Sequence, residues 1–332
     1  MFYNRLDVCF PKKFRFFWKN FKKFIDEADT IAISAHINPD GDALGSALGL
    51  RKSLELYGKK SDVIKISEVD DYLKFLPQID FYKNPSLEEY DLFIIVDCSE
   101  FDRIDKAIEI CKKSKKVLVI DHHEGGSIKT DLNIIHSDSP ASCELVYEII
   151  KRLKLPIDKE IATLLYAGLV TDTGRFLYSN ISELTFYTAA DLYKIGADFE
   201  MIYKNLYQNK EISKLQFENH LLNKVEFKKP YALVGVSQKT CKEFGVQMGD
   251  SESVVNMLRD LKGIEVACLV KEYGENEFKI SLRSKDYLDV SKIARDNGGG
   301  GHIRASGFTI NTDSMDKAIN IMRKILEEAI ND

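Results

Sequence analysis

The stretch TIAISAHINPDGDALGSALG, residues 30–49, joins a short apolar run to a series of small residues with helical spacing, and it sets His36, Asp40 and Asp42 between them. A strand that feeds a helix through a polar turn is the opening unit of an α/β fold. The two aspartates have two readings. Either could cap the helix that begins near ALGSALG, because a short carboxylate accepts from the orphan amides of a first turn. Either could equally belong, with His36, to half of a metal site.

Outward from this stretch, the apolar runs SDVIKI (61–66), DLFIIVDC (91–98) and KKVLVID (115–121) alternate with segments of helical periodicity. Strands alternating with helices imply α/β architecture with a doubly wound, mostly parallel sheet. Ligands of such sheets bind beyond the carboxyl ends of the strands. His36 follows the first run, Asp97 ends the third, and Asp121, His122 and His123 end the fourth. The helical run IATLLYAGLV leads into TDTGRF and delivers Asp172 to a turn.

Residues 182–224 read as charged helices with little β pattern, and from about 227 the strand-like runs YALVGVS, IEVACLVKEY and EFKISLRS appear. The expected division is a catalytic domain over 1–190, a helical connector over 191–227 and a smaller α+β domain over 228–332. A chain of 332 residues has the length for two cores.

With 44% hydrophobic and 30% charged residues, the composition is that of a folded protein rather than a disordered one. No apolar run approaches the roughly 20 residues needed to span a bilayer, and the start of the chain lacks the apolar core of a secretory signal. A cytoplasmic protein is expected, with no membrane partner. The six cysteines are scattered singly, as in a reducing compartment.

A net charge of −5 argues against a broad basic face that tracks long nucleic acid, while leaving room for a short anionic ligand. The lysine-rich segment FPKKFRFFWKNFKKFIDEA (10–28) departs from this balance, with Phe14, Phe17, Trp18, Phe21 and Ile25 at helical spacing. A membrane-surface or nucleic-acid helix would read this way. The expected reading is an amphipathic helix packed on its own domain or on a second copy in a homodimer.

The residues at the strand ends form a chemical set: His36, Asp40, Asp42, Asp97, His122 and Asp172. Carboxylate and imidazole donors without cysteine suit divalent ions of intermediate hardness, Mn²⁺ first, with Mg²⁺, Co²⁺, Fe²⁺ and Zn²⁺ as competitors. Six side chains exceed what one catalytic ion can take while keeping water. They fit two ions that share a carboxylate. The four aspartates would repel one another strongly if buried without cations, and two divalent ions balance them. Such a pair, roughly 3.5–4 Å apart, serves in-line phosphoester hydrolysis.

The set H-x-N-P-D-G-D-A-x-G-S (36–46), I-V-D (95–97), D-H-H (121–123) and T-D-T-G-R-F (171–176) resembles the motifs of the DHH phosphoesterase superfamily. S-L-R-S (281–284) and G-G-G-G-H-I-R-A-S-G (298–307) resemble its DHH-associated C-terminal domain. Within the superfamily the likeness is to the NrnA-like group, which hydrolyses nanoRNA and linear dinucleotides and dephosphorylates adenosine 3′,5′-bisphosphate (pAp).

The resemblance implies two Mn²⁺ ions. His36 and Asp40 would hold one, and Asp42, His122 and Asp172 the other, with Asp97 bridging. Asp121 would orient a histidine, and His123 would face the phosphate to neutralise charge or protonate the leaving oxygen. Gly299, Gly300, Gly301 and His302, with Arg283, would read the far end of the substrate, since glycine backbone lets amides approach a phosphate and arginine offers a planar fork. Arg175 and Arg304 stay outside the expected site, and His136 and His220 are read as structural or surface residues.

The implied enzyme is a phosphodiesterase acting on pApA, pGpG and nanoRNA, with the first domain cutting and the second measuring a substrate only a few nucleotides long. A cyclic-di-AMP phosphodiesterase and a RecJ-like 5′→3′ exonuclease keep the same chemistry on other substrates. A nucleotide sensor without catalysis is a more distant reading, disfavoured by the complete ligand set.

Overall fold

The computed structural model describes residues 15–123, 128 and 130–331. Phe14 and Cys9 lie outside them. The chain divides after Asn209 into two compact units. The stretch 191–227, expected as a separate connector, is shared between them: its residues through Asn209 belong to the first unit and those from Lys210 to the second.

The first unit begins with α1 (Arg15–Glu27), β1 (Thr30–Ser34), α2 (Gly41–Leu56), β2 (Lys60–Ile64), β3 (Tyr82–Lys83) and β4 (Leu92–Val96). It continues with α3 (Ile108–Lys113), β5 (Lys116–Asp121), β6 (Leu132–Ile135), α4 (Ser142–Leu153), α5 (Lys159–Asp172), α6 (Glu183–Ile195) and α7 (Phe199–Tyr207). The described strands form a parallel sheet in the order β3-β2-β1-β4-β5-β6.

The central strand β4, LFIIV, is buried on both faces, as a continuous apolar run in a parallel sheet requires. Ile31, Ile33, Ile94 and Val96 face one core, while Ala32, Phe93 and Ile95 face the other. Four strands coincide with the apolar runs of the sequence. The remaining two, β3 and β6, are short edge strands of two and four residues, too brief to leave a periodic signal.

The strand order fixes where a ligand can sit. From β1 the chain proceeds toward one edge through β2 and β3, and from β4 toward the other through β5 and β6. The crossover helices part at this switch point and leave a crevice at the carboxyl ends of β1 and β4. His36 and Asp97 follow those two ends.

In α1, Phe21 and Ile25 are fully buried in the first unit's core, with Trp18 packed against it. The described part of the amphipathic stripe, Trp18, Phe21 and Ile25, is therefore taken up by its own unit. Among the described residues, no helix is long and apolar enough to cross a membrane.

The small residues of the opening stretch have a packing cause. Gly41, Gly45 and Gly49 recur every four residues and so line one face of α2, which lies against α5. A Cβ at Gly45 would sit 2.5 Å from the Leu164 carbonyl oxygen, and one at Gly168 would sit 2.3 Å from Cys143 Sγ and 2.9 Å from Asp42 Oδ1. The missing side chains let α2 approach α5 closely enough to bring Asp42 beside the end of α5, where Asp172 sits.

The second unit contains α8 (Ile212–Leu222), β7 (Glu226–Lys228), β8 (Tyr231–Val236), α9 (Gln238–Phe244), α10 (Glu252–Arg259), β9 (Val266–Gly274) and β10 (Glu277–Ser284). It ends with α11 (Val290–Asp296), β11 (Gly300–His302), β12 (Ala305–Asn311) and α12 (Met315–Asn331). Its sheet has the order β11-β12-β10-β9-β8-β7 and is antiparallel except for the β8–β9 pair. Alternate residues of β8 and β9 face two separate cores, so this is an α+β unit in which the sheet is packed on both faces at these strands. His220 of α8 lies with its ring 5.1 Å from that of Phe244.

Gly45→Ala forces a methyl group against a backbone carbonyl that cannot rotate away. The expected cost is about 1–3 kcal/mol of stability, read as a lower urea midpoint at unchanged slope.

Candidate active site

Asp97 is the geometric centre of the site. It follows the last residue of β4, and its amide still donates to Ile120 O of β5 at 2.9 Å. Its φ of 55° places it in the left-handed region, which aspartate tolerates better than most residues but seldom adopts without cause. The turn leaves its carboxylate buried with its two oxygens facing different histidines. Oδ2 lies 3.4 Å from His36 Nε2, and Oδ1 lies 3.4 Å from His122 Nε2.

Around these oxygens the structure gathers two groups of donors that share this centre. His36, Asp40 and Asp97 form one, their donor atoms all within 4.8 Å of one another, and Asp42, His122 and Asp172 form another. His36 Nε2 is 3.8 Å from Asp40 Oδ2, while His122 Nε2 is 3.4 Å from Asp172 Oδ2 and 3.9 Å from Asp42 Oδ2. A third group, Asp97, His122 and His123, overlaps them.

The capping reading of the opening aspartates holds at Asp40, which keeps one oxygen for another partner. Its Oδ1 accepts from the amides of Asp42 and Ala43 at 3.0 Å and caps α2, while Oδ2 faces His36. Asp42 does something the sequence did not announce: its Oδ2 accepts from Ser142 N at 2.6 Å and its Oδ1 from Cys143 N at 2.8 Å. It thereby occupies the amino end of α4.

Each histidine of the two groups has its other ring nitrogen engaged. His36 Nδ1 lies 2.8 Å from Ile37 O, and His122 Nδ1 lies 3.2 Å from Ser139 O. A backbone carbonyl accepts only from N–H, so these contacts place a proton on Nδ1 and turn Nε2 toward the carboxylates. Asp121 is fully buried and orients His123, whose Nδ1 is 2.7 Å from Asp121 Oδ1. The same oxygen accepts from the amides of His122 and His123. His123 is the more exposed of the two histidines, and its Nδ1 is also 3.7 Å from Asp97 Oδ1.

The electrostatics are those of a cation site. Burial, reinforced by the Asp97 charge, lifts the Asp42 carboxyl to about 7, and burial with the neighbouring carboxylates lifts Asp172 well above its ordinary range. Burial and Asp97 also raise Asp40. Burial would lift Asp97 as well, but its pairing with His122 and His36 outweighs burial and holds the carboxyl below the usual range. Burial opposes charge on His122, yet Asp97 and Asp42 raise it to about 9.

His122 Nε2 is buried without a hydrogen-bond partner, although three carboxylates surround it. A ring nitrogen ringed by carboxylates calls for a cation, a proton in the metal-free protein or a metal ion in its place, and the donor set fits divalent ions of intermediate hardness.

In the second unit, Arg283 of β10, Ala305 of β12 and His302 of β11 stand in one cross-strand row, and Ser281, Gly307 and Gly300 in the next row on the same face. The sheet itself demands two of the glycines. A Cβ at Gly299 would meet Gly307 O at 2.2 Å, and Gly301 has φ 135° with Ala305 O at 2.6 Å from such a Cβ. At Gly300 nothing lies within 4 Å, so the fold does not exclude a side chain there.

Arg283 is not an unengaged phosphate fork, because Nη2 lies 3.3 Å from Glu252 Oε2. Lys271 and Ser281 also bind Glu252. Burial alone would raise that carboxyl, but Lys271, Ser281 and Arg283 together hold it low. Two cations on one carboxylate leave a net positive charge beside the glycine strand.

Sequence reasoning missed Ser139 and Ser142. The available signal was SPASCE, a Pro-containing turn entering a helix whose N-cap position is Ala141 and therefore supplies no capping side chain of its own.

Residues 30–169 match the family model described as DHH family, N-terminal domain, and residues 230–328 match the DHHA1 domain. The chain is 33% identical over 294 residues to the bifunctional oligoribonuclease and PAP phosphatase NrnA of Mycoplasma genitalium, covering 86% of this chain and 90% of that protein. It is 27% identical over 305 residues to the protein of the same name from Bacillus subtilis, covering 90% and 96%. The crystal structure of an exopolyphosphatase-related protein from Bacteroides fragilis superposes with a TM-score of 0.88 at 29% identity, covering 94% of this chain and 95% of the other.

The raised carboxyl of Asp42 and the raised imidazole of His122 have a common consequence for stability. In both, the folded state holds a proton more tightly than the unfolded chain, so stability is lost as pH rises, from about 4 to 7 for Asp42 and from about 6.5 to 9 for His122. Metal-stripped protein should therefore unfold at lower temperature at pH 8 than at pH 5, with a shallower dependence in Asp42→Asn. Excess divalent ion should reverse the trend in the wild type, as calorimetry in the two buffers would show.

Proposed function

Because the chain belongs to the DHH family, with a DHHA1 domain following its DHH domain, we propose that it is a cytoplasmic phosphoesterase that uses two divalent ions, Mn²⁺ foremost, to hydrolyse short oligoribonucleotides and linear dinucleotides to nucleoside monophosphates. Removal of a phosphate from pAp belongs to the same chemistry. The observation that carries this reading is the pair of donor groups that meet at Asp97. The names of the relatives supply the substrate class.

In this reading His36 and Asp40 would hold one ion, Asp42, His122 and Asp172 would hold the other, and Asp97 would serve both. The chemistry such ions would supply is Lewis acidity toward a phosphoryl oxygen and toward water. The protein's own groups do the rest. Asp121 keeps the His123 Nδ1 proton, so proton transfer to the leaving oxygen runs through Nε2 of that ring. In the second unit, Arg283, His302 and the Gly299–Gly301 backbone are the groups suited to an anionic part of the substrate. Glu252 keeps the Arg283 guanidinium in place, and its exchange for a phosphate would be a swap of one anion for another.

Purified protein with Mn²⁺, offered pApA, pGpG, pAp, cyclic-di-AMP and a long single-stranded DNA, should release monophosphates from the two linear dinucleotides and inorganic phosphate from pAp. Rapid digestion of the long strand beside negligible dinucleotide turnover would overturn the substrate assignment. Asp97→Ala should lower metal content at both positions and abolish hydrolysis; retention of activity would refute the bridge. His123→Gln should keep both ions while lowering kcat by about 10²–10⁴-fold, the range typical of a lost general acid.

A further inference from the structure

Helix α4 starts at Ser142 without help from its own sequence, because the residue before it is Ala141. Its first amides are taken by the Asp42 carboxylate, which lies 100 residues earlier in the chain. The Ser142 hydroxyl points elsewhere and donates to Asp97 Oδ1 at 3.1 Å. Serines that cap helices behave differently in this molecule. Ser182 and Ser237 precede α6 and α9, and each accepts from an amide of the helix it begins. Ser142 already lies inside its helix and is fully buried. Serine at such a position has no advantage over alanine in helix propensity, so the hydroxyl is not explained by the helix.

We propose that Ser142 is a positioning residue for the candidate metal centre: its amide holds Asp42 and its hydroxyl holds Asp97, so that a single helix end sets the spacing between the two donor groups. This inference rests on the metal-binding reading above. A carboxylate can rotate about its terminal torsion at little cost. The hydroxyl limits that rotation for Asp97, so that Oδ1 stays toward His122 and Oδ2 toward His36. The same helix end presents its positive pole to both carboxylates and reduces their mutual repulsion. Ser142 itself need not touch ion or substrate.

The test compares metal-stripped full-length wild type, Ser142→Ala and Ser182→Ala. Mn²⁺ is titrated calorimetrically and by the electron spin resonance signal of the free ion, and the thermal unfolding of each metal-free protein is recorded. Ser142→Ala should bind at least one of two ions about 10–100-fold more weakly, the usual effect of losing a group that orients a ligand, with an unfolding temperature close to wild type. Ser182→Ala, which loses a true cap, should unfold at a lower temperature and bind Mn²⁺ as the wild type does.

Wild-type affinity in Ser142→Ala would overturn the inference. So would an Ala variant that fails to fold, or whose metal-free unfolding temperature drops as far as that of Ser182→Ala, since either assigns the hydroxyl to the fold. Failure of the wild type to bind any divalent ion would instead sink the metal reading of the site.

Discussion

The first unit is organised around an electrostatic constraint: four carboxylates, two of them fully or almost fully buried, converge with two histidines on a few ångströms of space. Like charges at such distances are strongly unfavourable in a low-dielectric interior. The protein meets this cost with donors placed by the backbone rather than with lysine or arginine. Asp40 accepts amides of α2, Asp42 accepts amides of α4, and Asp97 takes a hydroxyl from Ser142. What these contacts leave uncompensated is a role for cations from solution.

That constraint explains features of the fold that local preference would not produce. A left-handed aspartate at a strand end costs conformational energy, and here it aims one carboxylate at both histidines. The glycines of α2 and Gly168 of α5 each lower helix propensity, yet a Cβ at Gly168 would strike Asp42 itself. The close helix contact and the site are thus one requirement. Any residue that spread α2 from α5 would move Asp42 away from Asp172.

Much of this was legible in the sequence because chemistry and periodicity coincided there. Apolar runs of five or six residues gave the four inner strands, and acidic or imidazole groups at their ends marked the crevice. Edge strands β3 and β6 were not legible, since two to four half-exposed residues carry no period. Nor were partners that act through backbone. Ser139 contributes a carbonyl to His122 and Ser142 an amide to Asp42, and a sequence does not reveal where main-chain groups point. The Arg283–Glu252 pair was hidden for a related reason, because two residues thirty-one positions apart become neighbours only through the packing of α10 on β10.

The opening stretch also shows why a choice between a structural and a chemical role can be a false one. A carboxylate has two oxygens and several lone pairs, so capping a helix with one oxygen leaves the other available. Asp40 uses Oδ1 to begin its own helix and presents Oδ2 to His36; Asp42 begins a different helix with both oxygens while lying against His122 and Asp172. In each case the cap is what fixes the carboxylate's direction. The two aspartates are separated by one residue, but Asp40 precedes the helix with extended backbone while Asp42 lies in its first turn, so their side chains leave the helix start in different directions. That divergence lets a single helix start address both donor groups, and it makes the capping geometry of α2 and α4 part of the chemistry of the site.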